Sequence, residues 1–350
     1  MDRSETSSET IRDFVKARAK SLGFCLCGIT DASPLDHFNI YQQWIQKEYF
    51  GEMKYLATER HSLPRQDPKK LIPWAKTIIV FAWPYPLANI RFDQRCGQIA
   101  GYAIGKDYHQ SIPEKIEELV NEIKDLVREP FQSHIYTDSS ALLERELAVR
   151  AGLGWIGRNS CLINPKFGSS FLLAELVLDF KLPVDQPFAR DLCGKCHRCL
   201  DACPTQCIQE DRLIDASDCI STLTIENKGP MPIDKRDRIG NRLFGCDTCQ
   251  SVCPWNHTQI VPQSDSFSFS IENMLKELKI SDLQFKEKYA ASPILRVKRR
   301  GWIRNLCSVL VNLQIVESIS PLENLLENEN DPLILSSVTD ALAKLRLSAR

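Results

Sequence analysis

The chain lacks the features that place a protein in a membrane or send it out of the cell. Its 350 residues contain no apolar run approaching the roughly 18 residues of a membrane-spanning helix. Residues 1–10 are polar and include three acids, without the basic and apolar segments of a signal peptide. We therefore expect a cytoplasmic protein with no membrane partner, in which cysteines stay reduced.

The chain also lacks a strong charge of either sign, because its net charge is only −1. This balance argues against bulk binding of nucleic acid, but the basic residues are unevenly distributed. Residues 286–304 contain seven basic side chains and one acid, and residues 228–242 hold a second basic stretch. Each stretch is either a solvated surface or a phosphate-binding patch. The candidates for phosphate contact are Lys228, Arg236, Arg296, Lys298, Arg299, Arg300 and Arg304.

Cysteine, by contrast, is abundant, with 14 residues. One run reads Cys193-x-x-Cys196-x-x-Cys199-x-x-x-Cys203-Pro, which is the bacterial ferredoxin spacing for a [4Fe–4S] cluster. In two-cluster ferredoxins the fourth cysteine of such a run binds the other cluster. By that analogy, cluster 1 takes Cys193, Cys196, Cys199 and Cys253, and cluster 2 takes Cys203, Cys219, Cys246 and Cys249.

Zinc and disulfides are the alternatives for these eight cysteines. Structural zinc favours two separate CxxC pairs, and disulfides need an oxidising compartment, so two iron–sulfur clusters fit better. The departure from the ferredoxin pattern is Cys219, which stands alone where a second full motif would begin. The remaining cysteines are interpreted as small buried apolar residues: Cys25, Cys27, Cys96, Cys161, Cys207 and Cys307.

Hydrophobic patterning predicts an α+β protein with three parts. Helices over residues 11–22, 112–127 and 142–151 alternate with strands over residues 77–82, 133–137 and 169–180. This order predicts an N-terminal α/β domain over residues 1–182. A ferredoxin-like two-cluster module follows over residues 183–265. Residues 266–350 read as entirely helical, either a HEAT-like repeat domain or a plain helical cap.

Two motifs resemble cofactor sites but favour simpler interpretations. Gly152-x-Gly154-x-x-Gly157 follows a predicted helix rather than a strand, so it indicates a helix end and a tight turn instead of a nicotinamide site. Asp107-x-His109 matches the start of a cobalt-binding DxHxxG motif, but Ile112 replaces the glycine. A helix start with Asp107 near the N-cap is favoured, and these polar side chains can still line a cofactor pocket.

Asp138 follows a predicted strand and precedes a predicted helix. An aspartate at such a position either caps the helix or acts as a general acid. From the spacing alone both interpretations stay open, and the cap is the commoner of the two.

Several segments together resemble the epoxyqueuosine reductase family over nearly the whole chain. The resemblance rests on residues 53–56 with Arg60, on residues 67–73 and 105–109, on residues 138–159 (DSSALLERELAVRAGLGWIGRN) and on the eight cysteines. It continues through residues 224–226 and 245–256 and closes with the helical C-terminus. The resemblance departs from the family pattern at Gly101 and at Cys207.

This resemblance implies a cobalamin-dependent reductase of tRNA, related in its core to reductive dehalogenases. It implies cobalamin bound base-off, two [4Fe–4S] clusters that relay electrons singly, and removal of the epoxide oxygen of epoxyqueuosine at the wobble position. It also makes Asp138 the proton donor, for which we expect an apolar pocket. The implied cobalamin contacts are Arg60, Tyr102, Asp107, His109, Asp138, Asn159, Ser221 and Asp247.

The expected partners are tRNA and a low-potential electron donor, and the expected state is a monomer. Two other classes remain open: a dehalogenase-like reductase of a small molecule, and a plain electron carrier. The basic residues 286–304 argue against the first, and the long domain before the cysteines argues against the second.

Overall fold

The computed structural model describes residues 7–87, 95–256 and 268–348. Within these residues it contains nine strands, fourteen α-helices and five 3₁₀ turns. The strands are β1 Leu26–Asp31, β2 Thr77–Pro84, β3 Gly97–Ile99, β4 Ser133–Tyr136, β5 Trp155–Ile156, β6 Leu162–Ile163, β7 Phe171–Leu178, β8 Arg242–Phe244 and β9 Ser268–Phe269. The 3₁₀ turns are Lys54–Ala57, Pro68–Lys70, Gly101–Ala103, Pro293–Val297 and Val316–Ser318.

The helices are distributed along the whole chain and become dominant toward its end. They are α1 Ser8–Ser21, α2 Phe38–Gln46, α3 Glu59–Gln66, α4 Tyr108–Val127, α5 Glu144–Arg150, α6 Arg198–Asp201, α7 Ile220–Ile225, α8 Ile233–Ile239, α9 Thr248–Ser251, α10 Ile271–Glu277, α11 Asp282–Lys288, α12 Lys298–Asn312, α13 Ile319–Asn328 and α14 Pro332–Ser348. In the part of the chain that is described, none of them is both long and apolar enough to cross a bilayer.

The main sheet has four strands in the order β1-β2-β7-β4, and every neighbouring pair is antiparallel. The predicted strands and helices of this region are confirmed, with α5 shorter at both ends than expected. The α/β label for this domain is wrong, because such domains are built on parallel strands. The broader α+β prediction describes the sheet correctly.

Both faces of this sheet are covered. The first six residues of β2, from Thr77 to Ala82, are buried, as expected for a continuous run of mostly β-branched and aromatic side chains. Helices α1 and α4 bury one face through residues such as Val15 and Ile116. Helix α5 covers the other face through Leu147 and Ala148. The loop from β4 to α5 therefore runs along an edge of a rigid core.

A second, three-stranded sheet ties distant segments together. Its order is β8-β3-β9, with β3 parallel to β8 and antiparallel to β9. These strands come from all three predicted domains, and β9 interrupts a segment that was expected to be entirely helical. Its residues Ile99 and Phe244 share one core with α12 and α14 of the tail. The predicted boundary between residues 265 and 266 lies outside the described residues.

The glycine motif after α5 forms a tight turn, as predicted. Gly152 has a φ of +78° and ends the helix, its N–H donating to Val149 O. A Cβ at Gly154 would lie 2.0 Å from Ile163 O, so only glycine lets β5 approach β6 this closely. The motif therefore serves packing.

Candidate functional site

Asp138 lies in the loop between β4 and α5, in a left-handed backbone conformation with a φ of +52°. The cap interpretation is wrong, because the N-cap of α5 is Leu143 and no side chain caps that helix. A positive φ is uncommon outside glycine and marks positions held by their surroundings. The loop thus presents Asp138 outward.

The Asp138 carboxylate has two aromatic neighbours from the start of α4. Tyr108 Oη donates a hydrogen bond of 2.7 Å to Asp138 Oδ2, and His109 Nε2 lies 3.9 Å from the same oxygen. The other ring nitrogen of His109 lies 2.8 Å from Asp107 Oδ1. Asp107 is the N-cap of α4, as predicted, and also accepts from the backbone N–H of His109. The near-match to a cobalt motif is therefore a capped helix start that holds three side chains beside Asp138.

The expected apolar pocket around Asp138 is not formed by the described protein side chains. The Asp138 side chain is 62% exposed, whereas Tyr108 is buried. Burial, followed by the charge and hydrogen bond of Asp138, raises the pKa of Tyr108 far above its usual value. Tyr108 therefore stays a hydrogen-bond donor, and any exclusion of water from Asp138 has to come from a bound molecule.

Other predicted site residues lie around this centre. The ring of Tyr102 packs edge-on against Tyr108 with centroids 6.1 Å apart. Burial, and then the charges of Asp247 and Asp138, raise the pKa of Tyr102. Asp247 is buried and accepts from the backbone N–H of Gly101 at 2.6 Å. The glycine at this departure from the family pattern therefore contributes a backbone contact.

Arg296 also lies near Asp138. It forms an ion pair of 2.6 Å with Glu226, which is the main cause of its raised pKa, and Tyr55 and Asp138 contribute to the same increase. Among the predicted tRNA contacts, the half-exposed Arg296 is therefore one that the fold brings near Asp138.

The four cysteines assigned to cluster 1 line one cavity of about 230 Å³. Its other walls include Leu192, Ile163 and Trp255. The indole N–H of Trp155 points at this group, 3.3 Å from Cys193 Sγ. Thiolates converging on a mostly apolar cavity, with an N–H donor to sulfur, fit the chemistry of a [4Fe–4S] cluster.

The cysteines assigned to cluster 2 lie together with two cysteines that the sequence analysis left as core residues. Cys207 Sγ lies 3.5 Å from Cys203 Sγ, and the Cys207 thiol also forms a hydrogen bond with Cys219. Cys161 forms a thiol contact with Cys249. The interpretation of Cys161 and Cys207 as ordinary core residues is therefore incomplete.

Hydrogen bonding from Cys207 shapes the acidity of two of these thiols. It is the largest cause that lowers the pKa of Cys203 to about 5, and it lowers the pKa of Cys219 to about 7. Iron binds the thiolate form, so this arrangement favours the protonation state that a cluster needs.

The remaining predicted cofactor contacts lie elsewhere. Asn159 is buried, accepts from Cys161 N at 3.2 Å and lines the cluster 1 cavity, so it faces the cysteines. Arg60 is exposed on α3, and Ser221 lies in the first turn of α7, directly after Cys219. Arg60 and Ser221 stay predictions as cobalamin contacts.

The predicted tRNA contacts divide into exposed and buried residues. Arg304 is 1% exposed and donates to the carbonyl oxygens of Asn227, Gly229 and Leu223, so it cannot reach a phosphate. Arg236 is buried against Asp340, and Arg299 is held by Glu329 and Ile280 O. These three predictions are wrong because the side chains serve packing. The exposed members are Lys228, Arg296, Lys298 and Arg300.

Three residues of the site were not singled out from the sequence: Tyr108, Glu144 and Glu175. Glu144 Oε1 accepts from the backbone N–H of Asp138 at 3.1 Å. Glu175 is fully buried in β7. Glu175 is the single acid inside the apolar run FLLAELVL, and this pattern alone could have predicted a buried carboxyl group.

Comparison with known proteins agrees with this arrangement. A family model described as a 4Fe-4S double cluster binding domain matches residues 192–256. A second, described as "Epoxyqueuosine reductase QueG, DUF1730", matches residues 65–139, which include Asp138. An epoxyqueuosine reductase from Cyclobacterium marinum is 40% identical over 301 residues, covering 83% of this chain and 94% of that protein.

Solved structures give the same result. An epoxyqueuosine reductase from Bacillus subtilis, with its catalytic aspartate loop swung out of the active site, has a TM-score of 0.83 at 30% identity, covering 97% of this chain and 91% of that one. An epoxyqueuosine reductase crystallised with an epoxyqueuosine-modified tRNA-Tyr stem loop has a TM-score of 0.80 at 28% identity, covering 97% and 100%. The chain therefore belongs to the epoxyqueuosine reductase family of oxidoreductases.

Proposed function

We propose that this protein reduces epoxyqueuosine to queuosine at the wobble position of tRNA, with Asp138 as the proton donor. The observation that carries the proposal is the accessible Asp138 carboxyl, which accepts a hydrogen bond from Tyr108 and lies beside His109. The catalytic aspartate loop of the Bacillus subtilis relative and the tRNA stem loop bound by another relative support it.

The cofactors we propose are two [4Fe–4S] clusters and base-off cobalamin, which when bound would supply single low-potential electrons at the epoxide carbon. Cys193, Cys196, Cys199 and Cys253 would hold one cluster, and Cys203, Cys219, Cys246 and Cys249 the other. The cluster 1 cavity suits this role because its walls are thiols and apolar side chains.

Polar groups beside Asp138 also fit a ligand edged with amides, as cobalamin is. Among the described residues, the buried Thr137 Oγ1 has no hydrogen-bond partner, although it directly precedes Asp138. Buried polar atoms normally have a hydrogen-bond partner, and a bound molecule would supply one to Thr137 Oγ1. Tyr102, Asp107, His109 and Asp247 would contact cobalamin from this side, with Arg60, Ser221 and Asn159 as further proposed contacts.

The proton chemistry follows from the substrate. An epoxide oxygen becomes a strong base as its C–O bond breaks, and a neutral carboxylic acid within reach can protonate it. Tyr108 and the backbone contact from Glu144 hold Asp138 on the exposed side of the loop. Substrate and cofactor would exclude water from this carboxyl when they bind.

The exposed basic residues would bind the anticodon stem loop. Lys228, Arg296, Lys298 and Arg300 would contact phosphates, and Arg296 would lie closest to the reacting base because of its proximity to Asp138. The wobble base would leave its stack to enter the site, as base-modifying enzymes require. We further propose that the helical tail, with HEAT-like character, forms part of this surface in a monomeric, cytoplasmic enzyme supplied by a low-potential donor.

The test is anaerobic conversion of an epoxyqueuosine-containing stem loop by the cobalamin-loaded holoenzyme with a strong one-electron reductant. Mass spectrometry of the nucleosides would detect loss of one oxygen. We expect Asp138→Asn to slow conversion by at least about 10²-fold, the usual range for a positioned acid. Asp125→Asn, an exposed acid on α4, is the matched control and should convert normally.

The alternatives predict different outcomes. Absence of conversion despite bound cobalamin and intact clusters would favour a small-molecule reductase. Failure to bind cobalamin at all would favour an electron carrier. Full activity of Asp138→Asn would refute the acid role while leaving the substrate assignment in place.

A further inference from the structure

The proposed reaction consumes more protons than Asp138 can carry. Converting an epoxide to an alkene and water takes two electrons and two protons, because the departing oxygen leaves as water. One carboxyl holds one proton, so the second has to reach the site during the same turnover. This inference rests on the proposed function and concerns the source of that second proton.

Glu144 is the acid that touches the Asp138 loop. It is the first residue of α5, and its Oε1 accepts the backbone N–H of Asp138 at 3.1 Å. Glu144 is partly buried, whereas Asp138 is mostly exposed. A carboxyl group in this position lies between the apolar core and the loop that carries the proposed proton donor.

Glu175 lies deeper, inside the core. It is 0% exposed, and among the described residues neither of its carboxyl oxygens has a hydrogen-bond partner. Alternation along β7 places it on the same face as Leu173 and Val177, the face that α5 covers. An unpaired carboxylate there would be very unfavourable, so Glu175 is held as the neutral acid.

The charges around these groups support the same protonation states. Burial, and next the charge of Asp138, raise the pKa of Glu144 to about 8, against the opposing effects of Arg145 and Arg65. Burial, then Glu144 and Asp138, raise the pKa of Glu175 well above its usual range.

The other titratable groups near this cluster include tyrosines, a histidine and Arg296, whose pKa Asp138 helps to raise. Tyr136 lies opposite Glu175 in the register between β4 and β7. Tyr108 and His109 face Asp138 from α4.

We propose that Glu144, with Glu175 behind it, stores the second proton that this reaction consumes and returns it to Asp138. Asp138 gives its proton to the oxygen as the first C–O bond breaks, and becomes a carboxylate. Glu144 then transfers its proton to Asp138, directly or through one water. Asp138 delivers this second proton as the second C–O bond breaks, so that water leaves and Glu144 is left as the carboxylate.

Glu175 stabilises the negative charge that is left on Glu144. A neutral carboxyl is an O–H donor, and Glu175 has no acceptor among the described residues. In this structure Glu144 is not within hydrogen-bond distance of Glu175, so the newly formed Glu144 carboxylate has to turn toward β7 to become its acceptor. A hydrogen bond to the charged form favours that form, which lowers the free energy of the transfer. Solvent reloads Glu144 after each turnover.

Infrared titration of the full-length holoprotein tests the stored proton without substrate. We expect a carboxylic acid C=O band that disappears as pH rises through about 8 and is absent in Glu144→Gln. Asp138→Asn should move this titration to lower pH, because the charge that opposes ionisation is gone. A second band should persist to higher pH and vanish in Glu175→Gln.

Single-turnover conversion of the stem loop tests the transfer. Wild-type rates should fall above about pH 8, as Glu144 loses its proton. Glu144→Gln should be about 10²-fold slower at pH 7 and should lose this inflection. Glu144→Asp should restore part of the rate, because it keeps a carboxyl group at this position.

The matched control is Glu146→Gln, two residues along the same helix. Glu146 is buried, and its Oε1 accepts from the backbone N–H of His37 rather than from that of Asp138. This variant should keep the wild-type rate and inflection, which separates proton storage from a general effect of losing a buried acid in α5.

Two results would overturn the inference. One is the absence of a carboxyl band that titrates with Glu144. The other is an unchanged rate and pH profile in Glu144→Gln. Lack of wild-type conversion would instead overturn the proposed function, and with it the role of Glu144 as source of the second proton. The infrared evidence that the Glu144 carboxyl titrates under the influence of Asp138 would be unaffected by that result. The two failures are therefore distinguishable.

Discussion

Glu175 is a single acid in the middle of an apolar strand, and it makes the stability of the protein depend on pH. Its pKa is raised in the folded state by burial, so the unfolded chain releases this proton at a lower pH than the native chain does. Stability from this group is therefore fully present below about pH 4.5, its usual pKa, and is lost as pH rises toward the folded pKa. Glu144 adds the same trend up to about pH 8.

We accordingly expect Glu175→Gln to flatten the pH dependence of folding. Between pH 5 and 8 the free energy of unfolding should decline less steeply in the variant, by up to about 1.4 kcal/mol per pH unit for one group. Anaerobic urea unfolding with intact clusters measures this slope. Parallel slopes for wild type and variant would show that Glu175 is not the buried acid inferred from its surroundings.

Helix α12 shows how one element divides basic residues between two tasks. Arg300 and Arg304 are one turn apart, yet Arg300 is about half exposed and Arg304 is fully buried. Arg304 donates to three backbone carbonyl oxygens, one in α7 and two in the segment that follows it. Among the described residues, Arg300 forms a long ion pair of 3.5 Å with Asp331, of the kind that contributes little to stability.

The two arginines should therefore respond oppositely to substitution. Arg304→Ala should lower the free energy of unfolding by roughly 3 kcal/mol, because buried acceptors lose their donor. Arg300→Ala should leave stability nearly unchanged but reduce the slope of log affinity for the stem loop against log salt by about 1. Thermal unfolding of both variants measures the stability change, and stem-loop binding at several salt concentrations measures the slope. Equal loss of stability in both variants would contradict this division.

At the scale of the whole molecule, the cysteines and the small sheet join segments that are far apart in sequence. Cys253 lines the same cavity as Cys193, Cys196 and Cys199, and β8 pairs with the distant strand β3. Metal binding of this type contributes directly to folding, because the unfolded chain has no preformed site.

Removing one ligand should therefore affect both iron content and stability. We expect Cys253→Ala to retain about half of the iron of the wild type, since the second proposed cluster uses other cysteines. Its unfolding temperature should also drop. Cys307→Ala, a buried cysteine of α12 away from both groups, is the control and should keep full iron content. Equal iron in both variants would refute the assignment of Cys253.

Local patterns in the sequence were sufficient for some of these features and not for others. The spacing of Cys193 to Cys203 and the apolar run of β2 depend on neighbours in the chain, so both were predictable. The antiparallel sheet was not, because strand direction depends on which distant strands pair. The cap interpretation of Asp138 was wrong because α5 begins later than its pattern suggests.

The sequence by itself therefore determined the cluster chemistry, the main strands and helices and, through resemblance, the family. Tertiary structure decided which charged residues are available for function. Arg304 and Arg300 look equivalent along the chain, yet packing buries Arg304 and leaves Arg300 exposed. Glu144 and Glu146 look equivalent too, yet packing buries Glu146 and leaves Glu144 partly buried beside the Asp138 loop. The physical reason is that burial, hydrogen bonding and protonation depend on segments brought together from distant parts of the chain.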